Sequence, residues 1–190
     1  DQAVSRGLGD VYKRQLHANG DEFPDLLVFP DLQRAPQLLL GSKDGFTEWK
    51  STGGISFGDV APGAVTIGNG KPAEIYVAYE RFARRLALSE SGTEWLVRDQ
   101  FNAPDRISTP LEGVTTSAQI LAAGDLNGDK RDDIVVLGKR ETLVLLQGED
   151  GKLASPQRLL NTSDQVRRPQ ILDFNGDGRA DLTCLSLIHI

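Results

Sequence analysis

Asp125, Asn127, Asp129 and Asp133 fall at places 1, 3, 5 and 9 of "DLNGDKRDDIVVL" (125–137). The same residue types return at Asp173, Asn175, Asp177 and Asp181 in "DFNGDGRADLTCL" (173–185). Such a pattern suits a hard cation. Calcium takes about six to eight oxygen ligands, and places 1, 3 and 5 would supply three from side chains. The carbonyl at place 7 (Arg131 or Arg179) and the acid at place 9 would add the rest. Two carboxylates about 5 Å apart repel by roughly 3 kcal/mol at an effective dielectric near 20, so several on one loop call for a positive charge among them. Glycine at place 4 of both copies, and at place 6 of the second, permits a tight turn. An EF-hand would need glutamate at place 12 and a helix beyond; Val136 and Cys184 stand there, in apolar stretches that read as strand. An Asx-rich turn that holds no metal is the other use of these residues.

Two weaker copies place the loops in a repeat. "HANGDEFPDLLVF" (17–29) keeps Asn19, Asp21 and Asp25 but opens with His17, which makes it a lesser candidate for calcium. "TIGNGKPAEIYVA" (66–78) keeps only Asn69 and Glu74, and no calcium is expected there. From Asp25 to Glu74, Asp133 and Asp181 the steps are 49, 59 and 48 residues, about the length of one four-stranded unit. Glycine turns recur between the loops, in "GSKDGFTEW" (41–49), "SESGTEW" (89–95) and "QGEDGKL" (147–153), each after an apolar run, as hairpins require. Around the best-preserved loop the pattern predicts strands near 117–124, 133–138, 142–147 and 152–160. "DIVVL" and "TLVLL" are apolar without alternation, which predicts sheets covered on both faces. Helical periodicity is lacking.

At these residues the sequence resembles the FG-GAP or VCBS repeat family, whose blades form integrin alpha-subunit-type β-propellers with calcium loops of pattern D-x-[DN]-x-D-G-x-x-D. The resemblance covers 16–184 as about three and a half blades, near 16–55, 56–105, 115–162 and, in part, 166–184. It implies an all-β fold, a partial propeller of four-stranded blades from a ring of about seven, the remaining blades of the same chain being its partners. Carried over by place, the ligand sets are Asp125, Asn127, Asp129, the Arg131 carbonyl and Asp133, and Asp173, Asn175, Asp177, the Arg179 carbonyl and Asp181. Lys130 departs from the family glycine. "SFGDVAPG" (56–63) faintly echoes the signature that names the family, though a Gly/Pro turn explains it as well.

Composition narrows the classes. A net charge of −6 and a pI near 5.0 argue against a nucleic-acid surface, which needs clustered Lys and Arg. The one basic cluster, Arg81, Arg84 and Arg85 in "RFARR", reads as a solvated hairpin. No apolar run approaches the roughly 18 residues of a membrane span. The single Cys184 forms no intrachain disulfide, and the only two histidines, His17 and His189, lie near opposite ends, which points to neither a Ser-His-Asp or Cys-His arrangement nor a multi-histidine metal site. No catalytic residue is assigned. The chain has no methionine, as expected of a piece of a longer protein or of a processed product. "DVYKRQ" (10–15) and "LSLIHI" (185–190) can be encoded by reverse-complementary strands, resembling a sequencing-library tag, so 1–15 and 185–190 read as cloning scars. The expected function is a calcium-stabilised binding or adhesion module for an unidentified protein or carbohydrate ligand. It belongs outside the cytoplasm, secreted, periplasmic or on the cell surface, where calcium fills such loops. The alternatives are the propeller of a secreted enzyme such as a polysaccharide lyase, with its catalytic groups elsewhere, and a scaffold segment of a large secreted toxin-like protein.

Overall fold

The central strands show why the chain folds as stacked sheets. In the computed structural model, which describes residues 12–30, 35–58, 60–102, 120–138, 140–161 and 166–186, Ile134 and Val136 face one neighbouring sheet while Val135 between them faces the other. Successive strand residues point to opposite faces, so a strand apolar at every place is buried only when sheets cover both sides.

The elements fall into repeating groups. In the first, β1 (Tyr12–Leu16), β2 (Asp25–Phe29), β3 (Gln37–Ser42) and β4 (Gly45–Glu48) make an antiparallel meander. The second orders β6 (Val65–Ile67), β7 (Ile75–Ala78), β8 (Phe82–Leu88) and β9 (Glu94–Asn102) the same way, with β5 (Gly53–Gly54) added parallel to β9. The third is β10 (Leu121–Gly124), β11 (Asp133–Leu137), β12 (Glu141–Leu145) and β13 (Gln157–Leu160), and a hairpin of β14 (Val166–Leu172) and β15 (Asp181–Ser186) begins a fourth. The fold is all-β, three blades and part of another from a β-propeller. The first strands β6, β10 and β14 lie next to one another, so the blades stack side by side.

The core is the space between blades. Leu27, Phe29 and Leu38 of the first blade pack on Val65, Ile75, Val77, Leu86 and Trp95 of the second. Tyr76 and Ala78, on the other face of β7, meet Leu121, Ile134, Val136, Leu143 and Leu145 of the third. Ala122, Val135 and Val144 then meet Ile171 and Leu182. The outer strands β4 and β13 are exposed along their length.

The glycine turns join the third and fourth strands of each complete blade, with Gly45, Gly92 and Gly151 at φ of 118°, 69° and 73°, where a β-carbon is disfavoured. The blade boundaries differ in two places. The first sheet begins at Tyr12, not 16, because Tyr12–Gln15 pair with β2 through the backbone, which asks little of the side chains. Gly53–Gly54, assigned by spacing to the first blade, pair with Glu94–Trp95 of the second. A glycine pair carries no hydrophobic pattern from which to read its sheet. Residues 115–119 of the third unit, 117–119 of its first strand, Asp59 in "SFGDVAPG" and the outermost scar residues lie outside the described set.

Candidate metal centre

All four candidate loops join the first strand of a blade to its second. In three of them the register is the same: Leu16 pairs with Asp25, Gly124 with Asp133 and Leu172 with Asp181. The acid at place 9 therefore opens the second strand, where alternation turns its side chain in beneath the loop. Asp25 and Asp133 are fully buried. Each uses both carboxylate oxygens on main-chain amides. Asp25 accepts from Ala18 N–H at 2.7 Å and Gly41 N–H at 2.9 Å, and Asp133 from Leu126 N–H at 2.9 Å and Gln147 N–H at 2.8 Å. Asp181 accepts from Phe174 N–H at 3.0 Å.

The rest of the loop follows one pattern in both full copies. Asp125 Oδ1 accepts from Gly128 and Asp129 N–H, and its Oδ2 from Lys130 N–H. Asp173 takes Gly176, Asp177 and Gly178 N–H in the same way. Asn127 and Asn175 each accept from the amide two residues on and donate Nδ2–H to the Asp129 or Asp177 carboxylate. The other oxygen of that carboxylate holds Arg131 or Arg179 N–H at 2.9 Å.

The copies part at the arginine. Arg131 Nη2 lies 2.7 Å from Asp129 Oδ2, and Arg131 Nε donates to the Gln147 carbonyl at 3.1 Å. Among the described residues no ion pair joins Arg179 to Asp177. Lys130 also holds a φ of 67° where Gly178 has 82°.

Electrostatics mark the third-blade loop. Burial pushes the Asp133 carboxyl above its ordinary value, and the charges of Asp129 and Asp125 push it further, against the amides of Gln147 and Leu126. Asp129 lies below its ordinary value: partial desolvation raises it, but hydrogen bonds from Arg131 N–H and Asn127 and the Arg131 charge outweigh that. A cation would favour the ionised form of Asp133. The donor chemistry, carboxylates with an amide oxygen and a carbonyl, therefore fits calcium. The arrangement is that of a loop holding its own amides, and among the described residues no three Asp, Glu, His or Cys side chains converge as a metal cage.

The weaker copies each have a substitute. His17 Nδ1 lies 3.1 Å from the Phe23 carbonyl, which can only accept; the imidazole thus donates to the place-7 carbonyl that a cation would otherwise take. Asn19 and Asp21 keep their mutual bond. In the 66–74 loop, Glu74 turns to Arg85 Nη1 at 3.5 Å and the Tyr76 hydroxyl at 3.4 Å. This corrects the reading of the basic cluster as solvated: Arg85 is buried at the blade boundary, and Arg84 lies over the Phe82 and Tyr79 rings. Asn69 bonds to Asp132 of the next blade at 2.7 and 2.9 Å. The sequence reading passed over Asp132. Its signal is the doubled aspartate 132–133 where the other copy has Ala180 and Asp181.

Set beside known proteins, residues 125–184 match the FG-GAP-like repeat family. No curated protein matches the chain. Among solved structures, a chain of the Photorhabdus luminescens Tc holotoxin pore, carrying the mutation TccC3-D651A, superposes with a TM-score of 0.50 at 16% identity. The alignment covers 90% of this chain and 8% of that one, a likeness of fold: the chain is all-β and propeller-type, and its residues 125–184 match an FG-GAP-like repeat.

Proposed function

We propose that this chain is part of a binding or adhesion module working outside the cytoplasm, in which calcium at 125–133 and 173–181 is structural. The observation that carries the reading is the recurrence of one donor set at one place. Asp125, Asn127, Asp129, the Arg131 carbonyl and Asp133 have counterparts in Asp173, Asn175, Asp177, the Arg179 carbonyl and Asp181, in the same strand connection of successive blades. When bound, calcium supplies the positive charge these carboxylates lack. The chain's own residues already fold the loop through the amides held by Asp125 and Asp173. Loops of this class in extracellular modules bind calcium at about 0.1–1 mM, a level met outside the cytoplasm. A repeat whose loops are spent on their own folding leaves recognition of a protein or carbohydrate to other surfaces.

The test is unfolding of the whole chain in calcium and in chelator, wild type beside Asp129→Ala. Calcium at about 100 times its dissociation constant contributes about 2.7 kcal/mol to the folded state. The variant is expected to lose much of that gain, and to be somewhat less stable in chelator as well, because Asp129 there holds the Arg131 amide, the Arg131 guanidinium and Asn127 Nδ2–H. Equal wild-type melting temperatures with and without calcium refute structural calcium.

A further inference from the structure

We propose that Asp132 is a carboxylate supplied across the blade boundary: it fastens the 66–74 loop, which has no aspartate of its own. In the full copies the place-1 aspartate holds the amide at place 4, Asp125 for Gly128 and Asp173 for Gly176, each at 2.7 Å. The second-blade loop is shorter: Thr66 lies within β6 opposite Tyr76, and Gly68 N–H donates to the Glu74 carbonyl at 2.9 Å. Asn69 thus follows the first strand where Asp125 follows Gly124 in the third blade, and no aspartate of the loop itself is there to hold an amide. The Asn69 amide is not left to solvent: it donates to Asp132 Oδ2 at 2.7 Å, and Asn69 Nδ2 donates to Oδ1 at 2.9 Å.

Strand alternation lets one loop do both jobs. Asp132 and Asp133 are neighbours, so their side chains point to opposite faces. Asp133 turns under its own loop, and Asp132 turns out toward the second blade.

The receiving surface fits the carboxylate. A β-carbon at Gly68 would stand 2.4 Å from Asp132 Oδ2, nearer than atoms approach, so glycine leaves the room that the carboxylate fills. On its other side the 66–74 loop is tied to the first blade. Ala73 N–H donates to the His17 carbonyl at 2.7 Å, and Gly20 packs against the Pro72 ring. The loop with the fewest cation ligands is thus held by both neighbours and joins three blades along one edge.

The experiment is amide hydrogen exchange on the whole chain in chelator, comparing Asn69 with the Val77 amide in β7. Asp132→Ala is expected to speed exchange at Asn69 by about tenfold or more while leaving Val77 near its wild-type rate. Gly68→Ala should do the same with both partners intact, because the added methyl expels the carboxylate. Asp132→Asn retains an acceptor oxygen and should keep much of the protection, so it decides the matter if the alanine variant does not fold. Unchanged exchange at Asn69 in all three variants, or an equal rise at Asn69 and Val77, overturns the proposal. Repeating the measurement in millimolar calcium separates the two readings. The Asp132 contact is expected in both conditions, whatever the outcome for the metal.

Discussion

The loops at 125–133 and 66–74 occupy the same place in successive blades and are fastened in opposite ways. The first is closed from within: Asp125 and Asp133 hold five main-chain amides between them, counted from their hydrogen bonds. The second has no such carboxylate and is held from without, by the His17 carbonyl and by Asp132. A blade can therefore give up its cation ligands if its neighbours take over the amides. Repeats that touch only adjacent units offer this exchange at each boundary.

The largest expected effect breaks the inner fastening. Asp133→Ala leaves the Leu126 and Gln147 amides without their acceptor, at about 1–3 kcal/mol each when buried. The variant should lose roughly 2–4 kcal/mol in urea unfolding in chelator. Asp25→Ala should cost about as much, although its loop has His17 at place 1, because Asp25 does the same work on Ala18 and Gly41. Asn69→Ala in the outer-fastened loop removes one exposed side-chain bond and should cost less than about 1 kcal/mol. A small loss in Asp133→Ala, or a large one in Asn69→Ala, would reverse the assignment of inner and outer fastening.

A smaller effect sharpens the contrast between the two full loops. In the third blade the Arg131 guanidinium sits on Asp129 as a resident counter-charge; in the fourth, Asp177 has no such pair with Arg179. The pair is half-buried but still reached by solvent, and surface pairs of this kind contribute about 0.2–1 kcal/mol. Arg131→Ala should therefore tighten calcium at 125–133 by up to about fivefold by calorimetric titration. Arg179→Ala should change the 173–181 loop less. Equal gains from the two variants would show that net charge governs affinity rather than the Asp129 pair.

These contrasts were unevenly legible in the sequence. The strand connections, the glycine turns and the two-sided burial of "DIVVL" follow from residue type and spacing, since each local choice agrees with the blade. The donor set was legible as chemistry, and both of its uses, as cation ligands and as an Asx-type holder of amides, stood open in the sequence because carboxylates suit both roles. Partnerships between blades were hidden. Asp132, one residue from Asp133, reads as another member of the acidic cluster until alternation turns it toward Asn69, and Arg85 reads as surface charge until β8 packs it beside Glu74. Gly53–Gly54 gave no side-chain pattern at all.

The smallest expected effect tests whether the inner fastening is strained. Lys130 and Gly178 both stand at place 6, and both donate their amide to the place-1 aspartate, at 2.7 and 2.8 Å. Both are left-handed, with φ of 67° and 82°. For a residue with a β-carbon that conformation costs about 1–2 kcal/mol, whereas glycine takes it freely. Lys130→Gly relieves the strain but adds freedom to the unfolded chain, worth about 0.4–1 kcal/mol in the opposite direction. The net gain expected in urea unfolding is up to about 1 kcal/mol, and Gly178→Ala should lose about the same by the converse argument. Lys130 also borders the groove shared with Asn69, Glu74 and Asp132. If Lys130→Gly destabilises the chain instead, the lysine side chain itself helps join the two loops, and the 125–133 loop would be fastened from without as well as from within.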